Sequence, residues 1–399
     1  MRTNTPWLMF RSFLFVLCLL FFSMGFQASP VHARSKAEIP NDVILVLQDL
    51  LDETGTDDTV TDSADVDIAR LLPLMNFLRT EKSPDTVYET DGVLDMAAAF
   101  HTFSVKTDLS RLIDYTVDEN IPAVCFWPSS IRLSAWTAVS GGKDQLVRFR
   151  EAAARPDATF IANGVEHIEI TPDQHSGAYY VYDVNKKMML FPHEKGRVLI
   201  VISRQKGLSE VGLRGWVIGD DADWTYVYTK DRGINMTGLG WAKTYMYDSF
   251  GVTVYWQKDL DVAEVTYSVI SGVNAGWASM NMVKSHHIHN GLVRVAQAFR
   301  EVMEHPGLPA PSALSEIFSR SDALSTETLQ KYALDYFQAL GQRIDTLDDV
   351  PKALKKDFDP PVLVNQMSRN ALISLLALDY LKKVLNRNPV LENHPFTEY

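Results

Sequence analysis

Three histidines, His286, His287 and His289, stand close together in a stretch that otherwise has the apolar spacing of a helix. Imidazole nitrogens commonly bind zinc, so the cluster raises the question of a metal site. A helix turns about 100° per residue, which places His287 and His289 on nearly opposite sides. One ion cannot reach all three, and a site at His286 and His289 would need another ligand. The geometry favours a solvated helix face, with a pH-sensitive contact as an alternative, and predicts no metal and no cofactor.

Serine and cysteine motifs offer a second kind of chemistry. The segment from Gly207 to Gly212 contains Ser209 but has one residue too many for a nucleophile elbow. Ser203 begins an S-x-x-K pattern at a strand end without companion motifs. An exported serine hydrolase acting through either serine is kept as an alternative, while the pattern favours a protein that is not an enzyme. Apolar neighbours predict that Cys125 is buried and unreactive.

The elements around these residues predict an α+β fold. Residues 157–270 contain short runs rich in Val, Ile, Tyr and Trp, divided by turns too short for a parallel crossover. We therefore expect a curved antiparallel sheet covered by the histidine-bearing helix. That helix carries one apolar stripe, and we assign its members as the lid of a ligand cavity: Ile288, Leu292, Val295 and Phe299. Alternation in the last two strands gives four candidates for the floor of that cavity: Val254, Trp256, Val265 and Tyr267.

The C-terminal part of the chain, residues 306–399, is predicted to be wholly helical. The segment from Pro360 to Pro389 has apolar residues in a seam, from Val364 to Leu385, that resembles one side of a coiled coil. Residues 325–387 could therefore bind a partner or a second copy of the chain. A protein interaction module of this kind is the second functional class that we retain.

The N-terminal part, residues 1–33, reads as a signal peptide. A basic segment precedes the apolar run from Ser12 to Phe26, and small residues end at Ala33. We expect an exported protein, periplasmic or secreted, with no stable membrane span after cleavage, although retention of this segment as an anchor is the alternative. Residues 34–94 then contribute helices and an acidic linker, and residues 95–305 form the sheet domain.

Charge excludes further classes of partner. The chain has a formal net charge of −12, and the acidic surface repels phosphate backbones and anionic head groups, which argues against nucleic-acid binding and against electrostatic membrane binding. Removal of the signal peptide would leave Cys125 as the single thiol, so no internal disulfide would form. The fold must then be held together by packing.

The junction of sheet and helix resembles a START-like, helix-grip domain over roughly residues 95–304. In that family a long last strand leads through a turn of small residues to a W-x-x-N-like helix start. Here Trp277 and Asn281 are four positions apart rather than three, and Gly276 replaces the usual proline before the Trp. The resemblance implies that the long helix lies across a concave sheet.

The same resemblance implies a ligand, a lipid or another hydrophobic small molecule. A strongly curved antiparallel sheet beneath one helix rarely fills its concave side completely, which supports this expectation independently. The alternative for each of the eight cavity residues is that it simply fills an ordinary core.

Overall fold

A computed structural model describes residues 36–54, 66–80, 87–174, 176–236, 240–347, 354–355 and 358–396. The predicted signal peptide and most of the predicted acidic linker lie outside the described residues. Between them, these ranges contain all the strands and helices discussed below.

A large, mainly antiparallel sheet forms the centre of the fold, as the short connections predict. Its strands occur in the order β1-β2-β3-β14-β13-β8-β7-β5-β4, and β15 extends β14 as a short hairpin. The strands of this sheet are β1 (Lys36–Glu38), β2 (Val87–Val93), β3 (Met96–Val105), β4 (Ile131–Val139), β5 (Phe160–Ile170), β7 (Val181–His193), β8 (Gly196–Gln205), β13 (Tyr245–Gln257), β14 (Val265–Trp277) and β15 (Met280–Asn281). Only the pair β1 and β2 is parallel among these described strands.

Two smaller sheets are inserted between β5 and β13. The first has the order β10-β9-β6 and the second is a hairpin of β11 and β12. Their strands are β6 (Ala178–Tyr179), β9 (Leu213–Val217), β10 (Tyr226–Arg232), β11 (Ile234–Met236) and β12 (Gly240–Ala242). A 3-10 turn, Asp221–Asp223, joins β9 to β10.

Helices precede, interrupt and follow the large sheet. They are α1 (Asn41–Glu53), α2 (Ile68–Arg79), α3 (Leu109–Val117), α4 (Asp144–Ala153), α5 (Ser285–Met303), α6 (Pro311–Ser319), α7 (Thr326–Thr346), α8 (Pro360–Asn365) and α9 (Arg369–Val384). Side-chain oxygens cap several first turns: Asp67, Asp108, Ser325 and Ser368 each accept a hydrogen bond from a backbone N–H three residues later.

The two faces of the large sheet pack against different helices. The outer face, which bears Val254 and Trp256, forms one core with α1 and α2. The inner face, which bears Tyr255 and Tyr267, forms a second core with α3, α4, α5 and the C-terminal helices. The sheet therefore has no face that is generally exposed to solvent.

This arrangement corrects the predicted cavity floor. Val265 and Tyr267 lie on the inner face, but Val254 and Trp256 lie on the outer face, because Tyr255 is the residue that pairs with Tyr267. Alternation along a strand shows which residues share a face of the sheet. It does not show which helices pack against that face. Both faces are apolar here, so the pattern could not select between them.

The C-terminal seam also differs from the prediction. The segment is divided into α8 and α9 at residues 366–368 rather than forming one helix. Val364, Ala371, Leu381 and Leu385 are buried in the core of their own chain. This seam is consequently covered already within a single molecule.

None of the helices in the described ranges is both long enough and apolar enough to span a lipid bilayer.

Candidate functional site

Three rows of paired residues cross the inner face from β5 to β3. The first row is Phe160, Leu190, Leu199, Tyr255, Tyr267 and Phe103. The second row is Ala162, Met188, Val201, Thr253, Val269 and His101. The third row is Gly164, Lys186, Ser203, Gly251, Ser271 and Ala99. Apart from Lys186, side chains become smaller from the first row to the third.

The third row is less completely covered than the first, and we call its surface on the inner face the inner groove. Its floor consists of partly exposed members of the third row, Lys186, Ser203, Gly251 and Ser271, whereas Gly164 is covered by Trp136 and the Ala138 carbonyl. On the outer face of the same strands Ile202, Val252 and Ile270 are almost completely buried. The strands are thus fully packed on one side and incompletely packed on the other.

The serine hydroxyls of the groove are already engaged within the sheet. The Ser271 Oγ donates to the Phe250 carbonyl at 3.0 Å, and the Ser203 Oγ donates to the Gly251 carbonyl at 3.4 Å. A hydroxyl satisfied in this way costs little to cover with an apolar molecule, because no hydrogen bond to water must be given up without replacement. The floor can therefore contact a hydrophobic ligand.

Charged residues close one side of the inner groove. The Lys186 Nζ lies 2.9 Å from Glu166 Oε2 and 4.9 Å from the centre of the Trp136 ring. Ser134 donates its hydroxyl hydrogen to the other carboxylate oxygen of Glu166. Burial, followed by the nearby Glu166 carboxylate, raises the pKa of Tyr182 to about 12, so its phenol stays neutral. This cluster offers hydrogen-bonding groups without net charge.

Helix α5 lies along β3 beside the inner groove. Its C-terminal half is packed tightly: the Phe299 ring stacks on Trp127 at 4.2 Å and lies 5.9 Å from Tyr267. Leu292 and Val295 project from the same side of the helix but are only half-buried. The structure therefore brings Val265, Tyr267 and Phe299 together in a closed core and leaves Leu292 and Val295 less covered. The remaining predicted lid residue, Ile288, is buried.

The turn between β9 and β10 is attached to α5 by an ion pair. The Arg294 guanidinium donates two hydrogen bonds to the Asp221 carboxylate and a third, at 3.2 Å, to the Tyr226 hydroxyl. The turn ends at Trp224, which is buried in a left-handed conformation with φ 50°. Non-glycine residues adopt this conformation at an energetic cost, so the surrounding contacts must hold it.

The histidines occupy two environments. His286 and His287 are exposed, as a solvated helix face predicts. The prediction was wrong for His289, which is buried with its ring 5.7 Å from that of His101 on β3. His289 is buried because its side of α5, which lies outside the apolar stripe, also packs against β3. Within the described residues no group of three or more His, Cys, Asp or Glu side chains could hold a metal ion.

We expect the contact between His101 and α5 to make stability depend on pH. Burial, and then the neighbouring His289 and Arg300, lower the pKa of His101 from 6.5 to about 4. The unfolded chain therefore binds a proton here first, and stability is lost as the pH falls from about 6.5 to about 4. The loss should be roughly 1–2 kcal/mol because His101 is only partly buried.

Urea unfolding of the wild type and of His101→Gln near pH 7.5 and near pH 4.5 measures this loss. The variant should lose less stability than the wild type over this interval. Equal losses in the two proteins would show that His101 does not contribute.

The hydroxyls of the predicted nucleophiles form hydrogen bonds within the fold. Ser209 is buried, its Oγ donates to the Glu210 carbonyl at 2.7 Å, and it accepts from the Met246 N–H at 2.9 Å. The Ser203 hydroxyl donates to the Gly251 carbonyl within the same sheet, as described above. Cys125 is fully buried, as predicted, and burial raises the pKa of its thiol far above the ordinary value.

A hollow lies between the β9–β10 hairpin and helices α7 and α9. Its volume is about 20 Å³, which holds about one water molecule. Arg132 lies in its wall, paired with Glu169 at 3.0 Å and placed over the Tyr228 ring at 4.0 Å. The hollow is too small for a lipid, and the charge of Arg132 is already neutralised by Glu169.

Sequence reasoning missed most of the groove floor. Ser203 was considered only as a nucleophile, and Lys186, Gly251 and Ser271 were not selected. A glycine within a strand signals a close approach or a gap in packing, so Gly251 was the available clue. The alignment of these residues into one row depends on strand register, which the sequence does not display.

Comparison with known proteins finds no matching family model, no similar curated protein and no similar solved structure.

Proposed function

We propose that this protein is an exported, START-like binder of a hydrophobic small molecule, and that the inner groove is its binding site. The observation that carries the proposal is the row of small, half-exposed residues in the middle of an otherwise packed sheet. A folded chain usually fills such an interior surface with larger side chains. A ligand that covers the row would remove apolar surface from water at a gain of about 25 cal/mol for each Å².

The order of the strands supports the helix-grip part of the proposal. The first long strand, β3, pairs with the last, β14, so the helix that follows β14 returns alongside β3. In the proposed site α5 would form one wall of the groove, through Leu292 and Val295. Lys186, Glu166 and Ser134 at the opposite side would bind a polar group of the ligand, such as a hydroxyl.

A plugging substitution tests the binding site. Ser271→Phe should weaken binding of the apolar fluorescent probe N-phenyl-1-naphthylamine at least tenfold, because the new ring would occupy the groove. The strand can accept the ring because its neighbour across the sheet is Gly251, where an added Cβ would approach only Ser203 Oγ closely, at 3.1 Å. Fluorescence titration of the purified protein measures the dissociation constant.

Ser312→Phe is the matched control, since Ser312 is an exposed residue of α6. It should bind the probe like the wild type, and both variants should retain the wild-type circular dichroism spectrum. The proposal fails if the wild type does not bind the probe, or if Ser271→Phe binds it unchanged.

A further inference from the structure

Strand β4 forms one edge of the large sheet, because it is last in the strand order and pairs with β5 alone among the described strands. The beginning of this edge is covered by helix α9, whose Ser374 hydroxyl donates to the Arg132 carbonyl. Further along, the described part of the chain provides no hydrogen bond to the outer edge of residues 134–136. Ala135, in the middle of that segment, is exposed to solvent. The segment can therefore accept another strand.

Ser134 and Trp136 direct their backbone N–H and C=O groups toward this outer edge. In an antiparallel ladder, pairs alternate between residues that hydrogen-bond to each other and residues whose backbone groups point away. The Ser140 N–H donates to the Asn163 carbonyl at 2.9 Å, so the odd-numbered residues of β5 are those that bond to β4. Ala135 pairs with an odd-numbered residue of β5, whereas Ser134 and Trp136 pair with even-numbered ones. Two N–H and two C=O groups, on either side of Ala135, consequently have no partner strand within the described ranges.

The side chains of this segment leave the outer edge open. The Ser134 hydroxyl donates to Glu166, and the Trp136 ring covers Gly164, so both side chains turn toward β5. Between them, Ala135 has only a methyl group. A strand that approaches in the plane of the sheet would therefore meet no large side chain at these three positions.

Charge and length distinguish β4 from the opposite edge of the sheet. Edge strands are commonly protected against pairing by charged residues and by short length. The opposite edge strand, β1, has both features, since it consists of three residues and includes Lys36 and Glu38. In contrast, no charged residue occurs between Arg132 and Lys143. Two register shifts against β5 leave residues 133–136 as the regular part of β4, which limits pairing to this short segment.

We propose that β4 pairs with β4 of a second copy of this chain, antiparallel and about a two-fold axis at Ala135. In this register Ser134 of each copy faces Trp136 of the other, and their outward groups form four hydrogen bonds. An unlike strand could use the same groups, but this edge is complementary to itself, because neither like charges nor bulky side chains oppose each other across the axis. The association does not involve the inner groove and goes beyond the binding function proposed above.

Sedimentation equilibrium of the purified protein at neutral pH, from about 5 to about 200 μM, tests the proposal. The wild type should dimerise in this range. Ala135→Lys and Ala135→Glu should each weaken dimerisation at least tenfold, because each variant places two like charges directly opposite one another. An equimolar mixture of the two variants should associate at least tenfold more tightly than either variant alone, since unlike charges then face each other across the axis.

Ala69→Lys is the matched control, because Ala69 is an exposed alanine of α2, and it should dimerise like the wild type. Restored association in the mixture requires both variants to be folded, so this measurement separates lost pairing from lost folding. The proposal is overturned if the wild type stays monomeric or if both variants at Ala135 dimerise like the wild type. It is also overturned if Ala69→Lys weakens dimerisation as much as Ala135→Lys, or if the mixture associates no more tightly than its components.

Discussion

Replacing Phe299 with alanine should lower the free energy of unfolding by about 3–5 kcal/mol. The ring is fully buried on α5, stacked on Trp127 and surrounded by Tyr267 and by Phe103 at 6.3 Å. Its removal leaves a cavity that these rigid rings cannot close, so lost burial and lost packing add together. Urea unfolding monitored by circular dichroism measures the change.

Leu292→Ala is the matched comparison on the same helix face. Leu292 is only half-buried, so its truncation should cost about 1 kcal/mol in the absence of ligand. A loss as large as that of Phe299→Ala would mean that the N-terminal half of α5 closes a packed core, and the groove would not be vacant.

Replacing Asp379 with alanine should destabilise the protein by about 3–5 kcal/mol. This carboxylate on α9 is 1% exposed and accepts the backbone N–H groups of Val390 and Leu391 at 2.7 and 2.9 Å. It also lies 3.3 Å from the buried ring of His394. Alanine leaves these buried donors without their acceptor and releases the C-terminal segment from the helix.

Two further variants decide whether this loss is specific. Asp379→Asn keeps one acceptor oxygen and should be less destabilising than alanine. Asp335→Ala, at an exposed position of α7, should change the free energy of unfolding by less than about 0.5 kcal/mol. Limited proteolysis should cleave Asp379→Ala near residues 386–396 first, and resistance there comparable with the wild type would contradict the proposed role.

Sequence reasoning did not identify Lys382, which is buried on α9 one turn after Asp379. Its Nζ donates to Thr225 Oγ1 at 2.7 Å, and burial lowers its pKa to about 8. In the sequence, a lysine next to an apolar seam indicates a side chain that is exposed to solvent near the end of a helix. The side chain is buried because the β9–β10 turn, distant in sequence, covers that end.

Much of the secondary structure follows from local pattern. Short turns between runs of β-branched and aromatic residues require antiparallel neighbours, and the predicted large antiparallel sheet is confirmed. The spacing of Ile288 and Phe299 identified two buried positions of α5, and the apolar surroundings of Cys125 identified a buried thiol. These features depend on residues close to one another in the chain.

The sequence by itself determined the type of sheet, the apolar side of α5 and the helical character of the C-terminal part. Only the tertiary structure decided that Val254 and Trp256 face α1 and α2, that the seam from Val364 to Leu385 is covered by its own chain, and that small residues of β3, β5, β8, β13 and β14 form one row with Lys186. Each of these outcomes depends on register and on pairing between distant segments. Periodicity within a single segment contains no information about either, because it is the same whichever partner the segment meets.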